Sequence, residues 1–482
     1  MNEPRPSLAE ARARLADSDC VPLVVELVAD CVTPVAAMLR LGTDGNCFLL
    51  ESVEGGERLG RWSLLGRDPA RTLRSAPSID PLDSIEREVA AMRVAPVDGL
   101  DVPFVGGAVG VLGYEAARRY ERLPAAAQDP LHIPDSWFGI FDTVVAIDHV
   151  QRRMLLISCV FRDDPAGIDA AYKAAAERLE LLRERLDGPL PAALRPPIRE
   201  TIEPGQFEER ANLGRNAFME AVERCREYIM AGDIFQVQVS RRFGLPLTAD
   251  PFDLYRTLRA LNPSPYMFYL SIPGCVLVGA SPEMLVRVTG RRVQYHPIAG
   301  TRRRGRDAAD EARMEAELRS SEKEAAEHLM LVDLGRNDLG RVCATGTVNV
   351  TEMMAVERFS HVMHLVSSIE GRLHSSRSSV DALRACFPAG TVTGAPKIRA
   401  MEIIAEMEPE VRGPYAGAVG YVGYGGDLDT AIALRTLVVR DGMAYAQAAA
   451  GVVADSIPEQ EAVEVDNKVA AQLLAVQEAN RW

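Results

Sequence analysis

The sequence predicts an α+β fold in which antiparallel β-sheets pack together and helices flank them. Two observations predict it. Short apolar runs bounded by turn residues follow one another, as the strands of antiparallel sheets do. Amphipathic helical patterns stand between groups of these runs instead of alternating with single strands. The chain has 482 residues, 47% of them hydrophobic and 25% charged, which suits two or three globular domains.

The N-terminal part of the chain is expected to begin with strands. Four apolar runs predict them: Val21–Val28, Cys47–Leu50, Val144–Ile147 and Met154–Val160. A charged helical pattern follows at Ile168–Leu186.

A proline-rich stretch then divides the chain. Five prolines stand between Leu186 and Phe207, a composition typical of a linker. We therefore place a boundary near residue 200 and expect two domains, residues 1–195 and residues 205–482.

The C-terminal part combines helices with a strand meander. The first helix is predicted by apolar residues that share one helical face: Phe218, Val222, Cys225 and Ile229. Three strands are separated by Ser-Pro and Thr-Gly turns: Cys275–Val278, Met284–Val288 and Arg292–Tyr295. Helical patterns surround the meander: Asp307–Leu334, Val380–Ala385 and Ile398–Met407.

Two octapeptides resemble each other across the two parts. The first is Gly107-Ala-Val-Gly-Val-Leu-Gly-Tyr114, and the second is Gly417-Ala-Val-Gly-Tyr-Val-Gly-Tyr424. A shared ancestral unit and chance convergence of glycine-spaced strands both explain one such pair.

Charge and cysteine usage exclude several classes of function. The net charge is −14, so no basic field is expected to hold a nucleic acid. The eight cysteines are scattered without a C-x-x-C pair, no signal peptide is evident, and no apolar run reaches the length of a membrane span. The sequence predicts a cytoplasmic protein without nucleic acid or membrane as a partner. Binding an acidic small molecule would need a metal ion or a few placed Arg and Lys side chains.

Two pairs of carboxylates occur at helical spacing. Glu324 and Glu327 are three residues apart, as are Glu461 and Glu464, so each pair lies on one helix face. Two such pairs could meet at one Mg²⁺ ion, a cation that prefers oxygen ligands. Taken alone, each pair is more typical of a solvated helix surface.

Two further segments contain residues suited to ligand binding or proton transfer. The Gly/Thr-rich loop from Pro388 to Arg399 includes Thr391 and runs into a helix, which suits an anionic ligand but also an ordinary turn and helix cap. His361 and His364 lie close together, and a neutral imidazole can transfer protons. The residues alone do not choose between these two histidines.

Seven segments, in this order, resemble the chorismate-utilising enzyme family. They cover nearly all of residues 205–482, and their combination is specific: Ser281–Met284, Pro297–Arg302, Glu327–Asp338, Pro388–Lys397, Gly413–Gly417, Ala431–Arg435 and Gly451–Lys468. The resemblance implies two packed antiparallel sheets flanked by helices, with the active site in a cleft between them.

The resemblance also implies roles for individual residues. Glu327 and Glu464 match the magnesium ligands, and Glu324 and Glu461 would support them through water. His364, Thr391 and Gln236 are expected near the reacting groups, with His364 rather than His361 as the family match. The positions that match chorismate-binding residues are Gly300, Thr301, Tyr415, Arg435, Ala449, Ala450, Gly451 and Lys468. The family usually has Gly-Ala-Gly where this chain has Ala449-Ala450-Gly451, which removes backbone freedom near the substrate.

Two positions separate the branches of the family. Aminodeoxychorismate synthases typically carry a nucleophilic Lys where this chain has Ala299. Isochorismate and salicylate synthases carry a water-activating Lys where it has Gln236. The nucleophile is therefore expected to be external ammonia, as in the anthranilate synthase branch. The alternatives are an aminodeoxychorismate synthase and a non-catalytic tryptophan-sensing subunit.

The resemblance implies partners and regulation as well. No glutaminase motif occurs in the chain, so a separate glutamine amidotransferase subunit is expected to supply ammonia, and an oligomer is expected. Leu49–Ser52 and Asn262–Met267 resemble the two halves of a site for L-tryptophan as feedback inhibitor. Its residues would be Glu51, Ser52, Pro265, Tyr266 and Met267. Residues 1–195 would contribute to this regulatory site, and residues 205–482 would form the catalytic domain.

Overall fold

A computed structural model describes residues 3–52, 60–76, 79–124, 128–191, 205–358 and 362–481. Within them, two large antiparallel sheets pack against each other and helices flank them. The predicted α+β fold is therefore confirmed. Part of the predicted linker and His361 lie outside the described residues.

The strands are short and every pairing between them is antiparallel. In chain order they are β1 Cys20–Val28, β2 Cys47–Glu51, β3 Trp62–Arg67, β4 Arg71–Arg74, β5 Gly107–Leu112, β6 Ser136–Phe141, β7 Thr143–Asp148, β8 Arg153–Phe161, β9 Gln236–Pro246, β10 Tyr266–Ile272, β11 Cys275–Ser281, β12 Met284–Thr289, β13 Arg292–Tyr295, β14 Ile298–Arg303, β15 Asn349–Arg358, β16 Val362–Arg372, β17 Gly394–Ala395, β18 Ala418–Gly423, β19 Leu428–Ile432, β20 Thr436–Arg440 and β21 Met443–Val452. The first sheet has the order β1-β8-β7-β3-β2-β10-β11-β20-β21-β9-β17. The second has the order β14-β16-β13-β12-β19-β18-β5-β6-β4, and β15 pairs with β16.

The helices are α1 Leu8–Leu15, α2 Pro34–Leu41, α3 Pro81–Ile85, α4 Ile168–Leu186, α5 Arg215–Met230, α6 Pro251–Leu261, α7 Ala308–Ser320, α8 Glu322–Gly340, α9 Ser379–Cys386, α10 Lys397–Met407 and α11 Pro458–Ala479. Their ends follow local chemistry. Ser7 and Glu10 form a capping box at α1, and Ser378 with Asp381 forms another at α9. The helical pattern predicted over Asp307–Leu334 is divided in two. Ser321 is in an extended conformation, and its side chain accepts from the backbone N–H of Glu324 to cap α8.

Strands from both sides of the predicted boundary belong to each sheet. In the first sheet β2 pairs with β10, so that Leu49 lies opposite Tyr269. In the second sheet β5 pairs with β18. The two chain segments therefore share both sheets, and the division into two domains stays a prediction.

The two similar octapeptides are neighbours in the second sheet. They form β5 and β18, in a register that sets Gly110 opposite Gly420. A Cβ atom at Gly110 would lie 2.1 Å from the carbonyl oxygen of Trp137, and one at Gly420 would lie 2.1 Å from that of Asp429. Both glycines are needed because the neighbouring backbones leave no space for a side chain.

The space between the sheets is filled by apolar side chains. Toward the N-terminal strands the core is aromatic, and Phe48 meets Phe104 and Phe141 edge to face at ring-centroid distances of 6.3 and 4.7 Å. The cysteines are free thiols, all buried except Cys31, as the sequence predicted. Among the described residues, no helix combines the length and the apolar character needed to cross a membrane.

Candidate active site

A cavity of about 210 Å³ lies between the sheets in the C-terminal half. Strands β9 and β21 of the first sheet form one wall, and β14 and β16 of the second sheet form the opposite wall. Helices α8 and α11 close its sides.

Most of the predicted catalytic and substrate-binding residues line this cavity. They are Gln236, Thr301, His364, Thr391, Tyr415, Arg435, Ala449 and Lys468, and Glu327, a predicted metal ligand, lines it as well. Gly300 touches the ring of His364, and Ala450 and Gly451 continue strand β21 past the cavity wall. The predicted carboxylates Glu324, Glu461 and Glu464 do not line it.

His364 is fixed in one orientation by β14. Its Nδ1 lies 2.9 Å from the carbonyl oxygen of Gly300 and 3.1 Å from Oγ1 of Thr301. A carbonyl oxygen only accepts, so Nδ1 carries the hydrogen and Nε2 holds the lone pair. Burial lowers the pKa of His364 to about 4, and the positive charge of Arg435 adds to this effect. The imidazole is therefore neutral near pH 7 and able to accept a proton.

Two loops bring polar side chains into the cavity through strained backbone. Arg435 has φ 47° and Ala416, next to Tyr415, has φ 62°. Non-glycine residues rarely adopt this left-handed region, and such strain concentrates at functional sites. The surrounding sheet holds both loops: Ala280 donates to the carbonyl oxygen of Arg435, and Ala416 donates to that of Ala433.

Strand β21 approaches β9 closely at the cavity. A Cβ atom at Gly451 would lie 2.7 Å from Nε2 of Gln236 and 2.8 Å from Nε2 of Gln238. A larger residue at position 451 would therefore displace these two amide groups, whose side chains line the cavity. Ala449 lines the cavity, so its methyl group takes up space that a glycine would leave open. The Ala449 carbonyl oxygen accepts from Nζ of Lys468 at 2.9 Å.

Three of the four predicted metal-binding carboxylates form a hydrogen bond or an ion pair with another side chain. Glu327 accepts from Nε2 of Gln236 at 2.8 Å. Glu464 pairs with Lys468 at 2.6 Å, and Glu324 pairs with Arg302 at 3.1 Å. Burial raises the pKa of Glu327 and of Glu461, and the charge of Glu464 raises both further. In the part of the chain that the structure describes, no group of three or more Asp, Glu, His or Cys side chains is placed to hold a metal ion.

One functional group in the cavity wall was missed by the sequence reasoning. Glu283 lines the cavity and is 5% exposed. Burial raises its pKa to about 8, although the nearby Thr391 hydroxyl opposes the rise. Oγ1 of Thr391 has no well-formed hydrogen bond within the described residues. The Ser281–Met284 segment is one of the seven segments that resemble the family, but only the fold reveals that its glutamate is buried as a neutral acid.

A second cavity, of about 420 Å³, lies where the two chain segments meet. All five predicted regulatory residues line it: Glu51, Ser52, Pro265, Tyr266 and Met267. Its volume suits a small organic ligand.

Two ion pairs stabilise the walls of this second cavity. Nε of Arg259 donates to Glu51 at 2.6 Å, and the Tyr255 hydroxyl also donates to this carboxylate. On the opposite wall, Arg287 pairs with Asp429 at 2.7 Å. The Tyr266 hydroxyl donates to Asp429 at 3.2 Å and accepts from Arg287 at 3.1 Å.

The chain is similar to known proteins along nearly all of its length. A model of chorismate binding enzymes matches residues 45–474. "Anthranilate synthase component 1" of Streptomyces coelicolor is 51% identical over 98% of this chain and 92% of that protein. The protein of the same name from Thermus thermophilus is 47% identical over 94% of this chain and 97% of its own length.

Two solved structures of similar proteins superpose on this chain. Anthranilate synthase component I from Streptococcus pneumoniae superposes with a TM-score of 0.77 at 36% identity, covering 93% of this chain and 99% of that one. The menaquinone-specific isochorismate synthase of Escherichia coli shares the fold. It superposes with a TM-score of 0.72 at 19% identity, covering 98% of this chain and 99% of that one. Given the family match, these identities and the cavity between the sheets, the chain belongs to the family of chorismate binding enzymes.

Proposed function

We propose that the chain is the large subunit of an anthranilate synthase. It converts chorismate and ammonia into anthranilate, pyruvate and water through 2-amino-2-deoxyisochorismate. The full-length similarity to anthranilate synthase component 1 from several bacteria supports this function.

The residues that line the cavity indicate which nucleophile attacks chorismate. Gln236 and Ala299 line the cavity at the two positions where sister branches of the family use lysine. Among the described lining residues the one lysine is Lys468, and its ammonium group is bound to Glu464 and to the Ala449 carbonyl oxygen. The cavity thus offers no free amine of its own, and ammonia enters from outside. A glutamine amidotransferase subunit supplies it in the cell.

Binding of the chorismate dianion depends on a local excess of positive charge. Arg435 supplies positive charge to the cavity and Glu283 is neutral near pH 7. Glu464 offsets the charge of Lys468, so a bound Mg²⁺ would supply the rest. Arg435 binds the enolpyruvyl carboxylate, and Tyr415 and the amides of the β21 segment orient the ring. Fixing the ring beside the ammonia site accounts for much of the rate enhancement.

The carboxylates of α8 and α11 are suited to Mg²⁺. Magnesium accepts one or two protein carboxylates together with water and substrate oxygens, so three clustered acids are not required. Glu327 and Glu464 would be the ligands, supported by Glu324 and Glu461. Burial is the main cause of the raised pKa of Glu327, and the charges of Glu324 and Glu464 raise it further, a repulsion that a cation would relieve. When bound, the ion would offset the negative charge of the substrate and of the departing oxygen.

Two buried groups handle the protons. The protonated carboxyl of Glu283 donates its proton to the 4-hydroxyl, which leaves as water while ammonia bonds to C2 of the ring, and the new ammonium group then returns a proton to Glu283. Nε2 of His364 accepts the C2 proton as the bond from C3 to the enolpyruvyl oxygen breaks and the ring becomes aromatic. His364 then gives this proton to the methylene carbon of the departing enolpyruvate, which leaves as pyruvate.

The second cavity is the site for L-tryptophan as inhibitor. Its five predicted residues surround one space between the sheets. A cytoplasmic location and an oligomeric assembly, both expected from the family, stay predictions.

The function is tested by product formation from the purified chain alone. Chorismate, Mg²⁺ and ammonium at mildly alkaline pH should yield anthranilate fluorescence, which should require Mg²⁺ and fall when tryptophan is added. An aminated product that keeps its pyruvyl group would instead indicate an aminodeoxychorismate synthase. Binding of tryptophan without any turnover of chorismate would indicate a sensing subunit.

A further inference from the structure

A carboxylate from the N-terminal segment reaches the substrate-binding loop. Glu115 lies in a 3₁₀ turn, Tyr114–Arg119, just after β5. It is 8% exposed. Its two oxygens accept from the backbone N–H groups of Arg412 and Gly413, at 2.9 and 2.8 Å. The neighbouring N–H of Tyr114 donates to the Gly413 carbonyl oxygen at 2.8 Å.

The segment that Glu115 holds leads directly into the cavity. Gly413 is followed by Pro414 and by Tyr415, whose side chain lines the cavity. Pro414 cannot donate a backbone hydrogen bond, and Ala416 is in the left-handed region. The loop therefore depends on anchors outside itself, and Glu115 provides two of them.

The side chain of Arg412 links the same anchor to the cavity wall. Its guanidinium group pairs with Glu408 at 2.7 Å and lies 4.7 Å from the ring centroid of Tyr114 and 5.7 Å from that of Tyr415. It also donates to the carbonyl oxygens of Val392 and Gln238, both at 2.7 Å, and these residues line the cavity. A shift of the Arg412 backbone would therefore move several parts of the wall.

We propose that Glu115 is a positioning residue for substrate binding, through which the N-terminal segment fixes Tyr415 and the adjoining wall for chorismate. It does not touch the substrate. The inference rests on the proposed function, since it assumes that chorismate occupies this cavity.

The protonation state of Glu115 should make the affinity for chorismate depend on pH. Burial raises its pKa to about 7, although the amides of Arg412 and Gly413 oppose the rise. Charged and titratable groups face it from four places: Glu408, Glu410 and Arg412 from the segment after α10, Tyr114 and Arg118 from its own turn, Asp129 and Asp135 from the segment before β6, and Arg242 from β9. Protonation places an O–H group where a backbone N–H points, so one of the two anchoring bonds is lost. Affinity for chorismate should therefore fall as the pH drops through 7.

The test measures the dissociation constant of chorismate by calorimetry with Mg²⁺ present and ammonia absent, at pH 8 and pH 6. Glu115→Gln keeps the shape of the side chain but can accept from only one amide with its single oxygen. We expect it to bind chorismate about tenfold more weakly at pH 8, the effect of one hydrogen bond to a charged group. Its affinity should change less between pH 8 and pH 6 than that of the unmodified protein.

A matched control is Asp142→Asn. Asp142 is also a largely buried carboxylate with a raised pKa, and it accepts from the Tyr424 hydroxyl at the opposite end of β18. It lines neither the candidate active site nor the second cavity, so this variant should keep the affinity and the pH dependence of the unmodified protein.

Three outcomes are decisive. If Glu115→Gln binds as tightly as the unmodified protein at both pH values, the positioning role is wrong. If the unmodified protein itself does not bind chorismate, the proposed function fails instead. If Glu115→Gln does not fold, Glu115→Asp replaces it: the shorter carboxylate keeps the charge but not both bonds, and unchanged binding by that variant would equally overturn the proposal.

Discussion

At the scale of single residues, burial separates two titratable groups into an acid and a base. Glu283 and His364 line the same cavity, and burial favours the neutral form of each. A carboxyl group becomes a proton donor in this way, and an imidazole becomes a proton acceptor. Environments that push two pKa values apart are typical of acid–base catalysis.

This separation predicts an alkaline limit to the reaction. The pKa of Glu283 is raised to about 8, so the carboxyl is protonated below pH 8 and loses its proton above it. The rate should therefore fall above about pH 8 when free ammonia is held at a constant concentration. Glu283→Gln cannot donate this acidic proton, and kcat should fall by about 100-fold or more. Anthranilate fluorescence measures both effects, and an unchanged kcat in the variant would remove Glu283 from the mechanism.

The residues differ in how far the sequence could predict them. A resemblance of motifs predicted Arg435, Glu327 and His364, and all three line the cavity. Glu283 belongs to a motif too, yet its role depends on burial, which no local pattern encodes. Glu115 lies about 300 positions before the loop that it holds, and only the pairing of β5 with β18 brings the two together.

At the scale of elements, the hairpin of β18 and β19 contributes to the walls of both the candidate active site and the second cavity. Val419, Tyr421 and Asp429 line the second cavity, while Tyr415 before β18 and Arg435 after β19 line the first. A ligand that displaces the hairpin at one end therefore changes the geometry at the other. This contiguity would couple the proposed tryptophan site to the proposed chorismate site if the two ligands favour different arrangements of the hairpin.

The link predicts reciprocal binding. If tryptophan weakens chorismate binding by some factor, chorismate must weaken tryptophan binding by the same factor, typically about 5- to 150-fold. Calorimetric titration of each ligand with and without the other, in the absence of ammonia, measures both factors. Independent binding of the two ligands would contradict a coupling through the hairpin.

The same elements show why part of the fold escaped prediction. Strand β21 contains Ala444, Ala446, Ala448, Ala449 and Ala450, a composition with little strand propensity. It is a strand because β9 and β20 pair with it on both sides. The apolar, β-branched runs β1, β8 and β12 were predicted from their own residues, whereas β21 is specified by its neighbours.

At the scale of the whole molecule, neither chain segment completes a sheet alone. Removing residues 205–482 would leave the edges of β2 and β5 unpaired, and removing the N-terminal segment would expose β10 and β18. Unpaired edges with apolar faces lead to aggregation. We expect fragments 1–191 and 205–482 to be insoluble when produced separately, and co-production to restore soluble, chorismate-binding protein. Sedimentation of each fragment tests this, and a monomeric, folded fragment 205–482 would contradict it.

The pairing of β5 with β18 also bears on how the protein is made. Leu112 pairs with Ala418, which lies 306 positions later in the chain (418 − 112). At about 5–20 residues per second, synthesis of that interval takes roughly 15 to 60 s. Throughout this time the edge of β5 stays open, so the growing chain offers a binding site for chaperones long before it offers one for substrate.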